Sequence, residues 1–156
     1  PKHLEAVREY LVLDHNATIA DGYEADDSLG IAATIGGNSV VVCSLDKDLL
    51  QLPGKHYNWK RREFTTVLPM GGLRQFYEQL LQGDPADNIK GCSGIGKAKA
   101  PRLLEGCTNE FELVSCAWQA YERAGHTEEF FIMNAKLLYI LRSEEDCFRP
   151  PLDLAL

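Results

Sequence analysis

The sequence predicts an α/β fold in its first half that gives way to helices in its second, and three observations carry that reading. Residues 40–43 form a continuous apolar run, Val40-Val41-Val42-Cys43, as expected of a parallel strand buried on both faces. A helical pattern over 24–34 stands between that run and a shorter strand candidate at 17–19, and strand, helix and strand in this order make a βαβ unit. From Leu73 onward the apolar residues recur at helical spacing, with Phe76, Leu80 and Leu81 first.

Taken in order, Leu4, Val7, Leu11 and Val12 predict an amphipathic helix over 2–13. The helix over 24–34 places Ala25, Leu29, Ala32 and Ala33 on one face, and Gly36, Gly37 and Asn38 stop it. Two further short strands, 56–59 and 63–67, flank Lys60-Arg61-Arg62. Leu103 and Leu104, then Phe111, Val114, Ala117 and Trp118, then residues 130–141 predict the later helices, and Pro150-Pro151 predicts an irregular tail over 149–156. A boundary near Gly71-Gly72 divides the chain into an α/β part, 1–70, and a helical part, 71–156.

Composition excludes several classes. No apolar run approaches the roughly 20 residues that cross a bilayer, so no membrane partner is expected. The five cysteines are odd in number and form no C-x-x-C pair, and the four histidines are scattered, which argues against a zinc site and a disulfide framework. Reduced thiols in a cytoplasm are the expectation. The net charge of −7 conceals a pattern: residues 1–54 carry −6, residues 55–102 carry +5, and residues 103–156 carry −6. A basic middle between acidic flanks suits a phosphate-binding surface beside a carboxylate metal site.

Three acidic clusters follow one another. Glu24-Ala25-Asp26-Asp27 packs three carboxylates into four positions at a helix start. The helix dipole favours one or two acids there, but three repel one another unless a cation is present. Asp46-Lys47-Asp48 lies just beyond the apolar strand, where the crevice of an open α/β sheet usually places its site. Asp84 and Asp87 are spaced three apart, so that both can face one way on a helical turn. Seven hard oxygen donors with no accompanying His or Cys cluster are ligands for Mg²⁺ or Mn²⁺, and two ions roughly 3.5–4 Å apart would use them.

Directly after the third cluster comes Gly91-Cys92-Ser93-Gly94-Ile95-Gly96-Lys97. Glycines at this spacing let a backbone turn tightly and approach a ligand. The turn is expected to feed a helix start carrying Lys97 and Lys99, where backbone N–H groups and ammonium charge bind phosphate. A plain helix–turn–helix is the alternative.

Gly22-Tyr23-Glu24-Ala25-Asp26-Asp27, the run from Ser44 to Leu52, and Gly83-Asp84-Pro85-Ala86-Asp87-Asn88-Ile89 with Gly94-Ile95-Gly96-Lys97 resemble three ordered motifs of the 5′-nuclease family. That family includes phage 5′–3′ exonucleases, flap endonucleases and the 5′-nuclease domain of bacterial DNA polymerase I. The resemblance runs from about Tyr23 to Leu104, and the brevity and the basic hairpin after residue 59 bring it nearest the phage enzymes.

The resemblance implies a PIN-like 5′-nuclease fold, a partial parallel sheet with helices, followed by a helix–three-turn–helix DNA-binding element. It implies that Glu24, Asp26 and Asp27 serve a first metal, that Asp46 lies between two metals, and that Asp48, Asp84 and Asp87 serve the second. Asp26, Asp27 and Asp46 would be the catalytic acids. Gly91, Ser93, Gly94 and Gly96 would grip the backbone of duplex or branched DNA with a 5′ end or flap, Lys97 and Lys99 would contact phosphates, and the carbonyls of 91–96 could hold K⁺. In the family a strand ending in an Asp and a helical arch stand before the equivalent of Tyr23; no counterpart is read here. A missing N-terminal segment or chain is therefore an expected partner, and slow cleavage is expected without it. The rival readings are a non-catalytic DNA-binding module and an RNase of the similar PIN-like fold.

Overall fold

In the computed structural model, residues 2–151 are described; the last part of the tail expected to be irregular, 152–156, lies outside them. The chain opens with α1 (Leu4–His15), which ends where Asn16 turns left-handed at φ 53°. The predicted helix thus forms, but none of its residues is buried, and Val7, Tyr10 and Leu13 remain 51 %, 54 % and 71 % exposed. Residues 17–19 are not a strand: they run without ladder bonds and Ile19 stays exposed. A short apolar segment becomes a strand only where a neighbour accepts its backbone, and none of the described strands does.

The second helix, α2 (Ala25–Gly36), starts at Glu24 and ends at Gly37, φ 51°. Its buried face is narrower than expected, since Gly30 and Ala33 are covered while Ala25, Leu29 and Ala32 are exposed. Gly30 is required there, because a Cβ would stand 2.3 Å from the Leu141 carbonyl oxygen. Then follow β1 (Val41–Cys43), β2 (Gly54–Asn58) and β3 (Glu63–Val67) in the order β1-β2-β3. β1 pairs parallel with β2, Val42 opposite His56, and β2 pairs antiparallel with β3, Tyr57 opposite Phe64.

The strand β1 is buried on one face only. Val42 points inward with His56, whose Nε2 lies 2.8 Å from the Leu52 carbonyl oxygen, whereas Val41 and Cys43 face outward. The two predicted hairpin strands are present, with Arg62 left-handed at the turn (φ 57°) and Asn58 Oδ1 accepting from Arg61 N at 3.0 Å.

The helical half holds the main core. It comprises α3 (Pro69–Gln82), α4 (Ala100–Leu103), α5 (Glu110–Arg123) and α6 (Glu128–Leu138). Phe76, Leu80 and Leu81 of α3 pack with Leu113, Val114 and Ala117 of α5 and Phe131 and Ala135 of α6, all 2 % exposed or less. Each such large side chain contributes about 1.5–3 kcal/mol by leaving water. Asn109 caps α5 by accepting from Glu112 N at 3.0 Å, and Thr127 caps α6 by accepting from Phe130 N at 3.3 Å. A smaller cluster of Ala33, Val42, Leu49, Leu52 and Ile140 joins α2 and the sheet to the end of α6.

Gln51 is the polar link between these clusters: its Nε2 donates to Gln79 Oε1 and to the Leu138 carbonyl, both at 2.9 Å. Gly72 lets it sit there, since a Cβ would come within 2.3 Å of Gln51 O. All five cysteines are free thiols. Among the described residues no helix is long and apolar enough to cross a membrane.

Candidate metal centre and nucleic-acid interface

Three chain segments bring the acids together. Glu24 and the first turn of α2 supply Glu24, Asp26 and Asp27. The short 3₁₀ turn Asp48–Gln51 after β1 supplies Asp48, preceded by Asp46, whose Oδ1 accepts from Asp48 N at 2.9 Å. The segment after α3 supplies Asp84 and Asp87. It is not helical, as the spacing suggested. Asp84 and Ile89 exchange backbone bonds of 2.8 Å, Asp84 Oδ1 takes the Ala86 N–H at 2.8 Å, and Asn88 is left-handed at φ 59°. A side chain that satisfies the backbone in this way competes with helix formation.

One cavity of about 520 Å³ is lined by Glu24, Asp26, Asp27, Asp48 and Asp87 together with Gln51, Gln79 and Lys136. Asp46 and Asp84 do not line it. Asp46 lies on an adjacent depression of about 210 Å³ with Lys47 and Arg61, and Asp84 reaches the group through its charge. Burial raises the Asp26 carboxyl above its ordinary value, and the charges of Asp46, Asp48, Glu24 and Asp27 raise it further. Burial also raises Asp48; Lys47 opposes that shift, while Asp46 and Asp84 add to it.

The cavity's donors suit a hard divalent cation. Its five acids offer carboxylate oxygens, and Asp48 Oδ1 is buried with no hydrogen-bond partner among the described residues, with Lys47 Nζ 3.6 Å away. A buried oxygen left in this state is costly unless a cation or donor meets it. Asp27 is held in place from the far end of the chain, accepting from Leu141 N at 2.9 Å. Among the described residues, however, no three Asp, Glu, His or Cys side chains close on one point as a finished ion site. The acids rim the cavity.

The glycine turn begins where two backbones cross. Gly91 is left-handed at φ 63°, and a Cβ on it would meet Gly83 N at 2.3 Å; Gly83 is equally constrained, 2.3 Å from Ile89 O. Buried Cys92 anchors the turn by donating its N–H to Leu81 O at 2.9 Å. Beyond it the chain is exposed, with Gly94 left-handed at φ 76° and open space around Gly94 and Gly96. The N–H groups of Gly94, Gly96, Lys97 and Ala98 have no partner among the described residues. Consecutive unpaired amides in a turn form an anion-binding concavity.

Two expectations change here. Lys99 stands at the helix start as the N-cap of α4, whereas Lys97 lies upstream of it, because α4 begins at Ala100 and is four residues long. The late start places Pro101 in the first turn, where its missing N–H costs nothing. Lys99 Nζ donates to Gly94 O at 3.3 Å, so that carbonyl is engaged by an ammonium, while Lys97 makes no salt bridge among the described residues.

Sequence reasoning missed Gln51, Gln79 and Lys136 at the cavity, and His126, whose Nε2 lies 3.2 Å from Ser93 N. Gln51 lies within the Ser44 to Leu52 motif and could have been found there. The other three are brought in by tertiary packing and carry no local signal.

No family model matches the chain. Curated relatives do. The 5′-3′ exonuclease of Mycoplasmopsis pulmonis is 33 % identical over 116 residues, covering 64 % of this chain and 38 % of that protein. The flap endonuclease Xni of Shewanella piezotolerans is 36 % identical over 114 residues, covering 64 % and 44 %. The thermostable DNA polymerase I of Thermus aquaticus is 35 % identical over 117 residues, covering 67 % and 14 %. This chain therefore spans less than half the length of each of these relatives. Among solved structures, the T5 D15 protein co-crystallised with metal ions matches with a TM-score of 0.67 and 17 % identity, over 88 % of this chain and 59 % of that one. The T5 5′-exonuclease with bound zinc matches at 0.68 and 19 %, over 86 % and 57 %. These two establish the fold: a mixed α/β arrangement followed by a helical element. With its motifs in order, the chain is similar in sequence to proteins named 5′-3′ exonuclease, flap endonuclease and DNA polymerase I.

Proposed function

We propose that this chain is the metal-site and DNA-gripping part of a structure-specific 5′-nuclease, which hydrolyses DNA phosphodiester bonds at 5′ ends or flaps. Residues 1–70 contribute to the α/β nuclease core, and residues 71–156 form the DNA-binding helical part. The observation that carries this is the convergence of Glu24, Asp26, Asp27, Asp48 and Asp87 on one cavity, with Asp46 and Asp84 beside it. Relatives with 5′-3′ exonuclease and flap endonuclease names support the reaction class.

Mg²⁺ or Mn²⁺, bound as two ions, would lower the pKa of a water and stabilise charge on the departing oxygen. The chain's own residues do the rest. Asp26, Asp27 and Asp48 would hold the ions at the cavity, and Asp27 stays oriented through Leu141 N. Lys136 brings a cation to an otherwise acidic lining, where a phosphate must enter. The unpaired amides of Gly94, Gly96 and Lys97, with the Lys97 ammonium, hold phosphates of the duplex backbone, as DNA grip without base reading requires. The carbonyls of 91–96 would be the place for K⁺, in competition with Lys99 at Gly94 O. The cytoplasm of a bacterial or phage-infected cell is where such substrates lie.

The test is cleavage of end-labelled flap DNA, duplex DNA and RNA, with Mg²⁺ and with chelator, by the chain alone and by the chain supplied with the upstream segment of its natural protein. Metal-dependent release from the 5′ side of flap DNA on adding that segment, lost again in Asp46→Asn, supports the reading. Duplex binding without cleavage in either case would make the chain a binding module, and preferential cleavage of RNA would make it an RNase.

A further inference from the structure

We propose that His126, in the turn between α5 and α6, is a positioning residue that sets the DNA-gripping turn 91–97; this rests on the reading of that turn as a DNA contact. Ser93 N donates to His126 Nε2 at 3.2 Å, and Ser93 Oγ lies 3.0 Å from the same nitrogen. For the ring to accept a backbone N–H there, Nε2 carries no proton and the ring proton sits on Nδ1.

The bond matters because of what else holds the turn. Its base is anchored at Cys92 N, but beyond Ser93 its bonds are local: Ile95 N to Cys92 O at 3.2 Å, and Lys99 Nζ to Gly94 O at 3.3 Å. Among the described residues, His126 supplies the hydrogen-bonded tie from the turn beyond Cys92 to another element, beside the packing of partly buried Ile95 against the main core. The tie is rigid at its far end. The His126 N–H donates to Tyr121 O at 3.0 Å. The ring stacks on Phe130 at 4.7 Å between centroids and 21° between planes, and lies 5.4 Å from Tyr121. Tyr121 is itself fully buried, with its hydroxyl donating to Leu80 O at 2.6 Å. A stack on the α5–α6 core thus fixes Ser93 in space. The next unpaired amides, at Gly94 and Gly96, are presented already ordered, and ordering before binding is what spares affinity.

His126 does not itself reach for DNA in this role, which separates it from Lys97. The experiment uses the full chain and a short labelled duplex of two unrelated sequences across a salt series. His126→Phe keeps the stack and removes the acceptor; His126→Gln returns an amide oxygen. Expected for H126F is about a fivefold loss of duplex affinity, the scale of one hydrogen bond, equal for both sequences and with the wild-type salt slope. H126Q should recover most of it. Hydrogen exchange at the Ser93 amide should quicken in H126F and stay slow in H126Q. If H126F melts below the assay temperature, His126→Asn, whose amide is too short to reach, takes its place with the same expectations. Wild-type affinity and unchanged Ser93 exchange in the variant would overturn the role. So would a salt slope smaller by about one, which would make His126 a phosphate ligand. If the wild-type chain bound no duplex while Ser93 stayed protected, the DNA reading would fall first and this role with it.

Discussion

Asp27 Oδ1 accepts the backbone N–H of Leu141 at 2.9 Å, a bond that joins residues 114 positions apart. The acid at the start of α2 is thereby aimed by the segment that follows α6, and Gly30, one turn later, makes room for the Leu141 carbonyl. The site and the helical half are one construction at this point.

Replacing Asp27 tests that bond. Asp27→Ala leaves the part-buried Leu141 N–H without its acceptor and should cost about 1–2 kcal/mol, roughly 2–6 °C in melting temperature for a domain of this size. Asp27→Asn keeps an oxygen for Leu141 and should cost less than half as much. Equal losses in a urea titration would show that the bond contributes nothing.

The crowded acids set a pH dependence. Asp26 and Asp48 have folded-state pKa values raised above the ordinary 3.8, by burial and neighbouring carboxylates. The folded state therefore holds their protons more tightly than the unfolded state does. Stability from this source is fully present below about 3.8 and is lost as pH rises through the raised values. Without metal, Asp26→Asn and Asp48→Asn should each melt higher than wild type at pH 7, by roughly 1–4 °C given their partial exposure. The gain should vanish toward pH 3.5. Variants that melt below wild type at pH 7 would show that these carboxylates are not under repulsion.

Much of this site was legible in the sequence, and its failures have local causes. Glu24, Asp26, Asp27 and Asp48 were readable because an excess of acid at a helix start and beyond a strand has no cheap structural use. The helical face drawn for Asp84 and Asp87 failed because the Asp84 carboxylate satisfies Ala86 N and Asn88 turns left-handed. Residues 17–19 lacked a strand partner, which periodicity cannot report. Lys97 lies upstream of α4, which begins at Ala100 with Lys99 as its N-cap and Pro101 in its first turn. The Ser93–His126 contact spans 33 positions and has no sequence signature.

The glycines of the turn should separate by mechanism. Gly91→Ala forces a Cβ toward Gly83 N, 2.3 Å away, in a left-handed backbone, and should cost about 3 kcal/mol or more. Gly94→Ala is equally left-handed but meets open space, and should cost only about 1 kcal/mol. Similar denaturation midpoints for the two would show that the crossing of backbones at Gly83 and Gly91 is not tight.

Lys97→Ala should weaken duplex binding evenly across sequences and reduce the magnitude of the salt slope by about one, the effect of one lost phosphate contact. A loss confined to particular sequences would mean that Lys97 reads bases.

The acid-lined cavity as a divalent metal centre is the central assignment, and calorimetric titration of Mn²⁺ into the metal-free chain tests it most directly. Wild type should bind the ion with an affinity that drops at least tenfold in the Asp26→Asn, Asp48→Asn double variant, while that variant melts no lower than wild type without metal. A double variant that binds Mn²⁺ as wild type does would contradict the assignment.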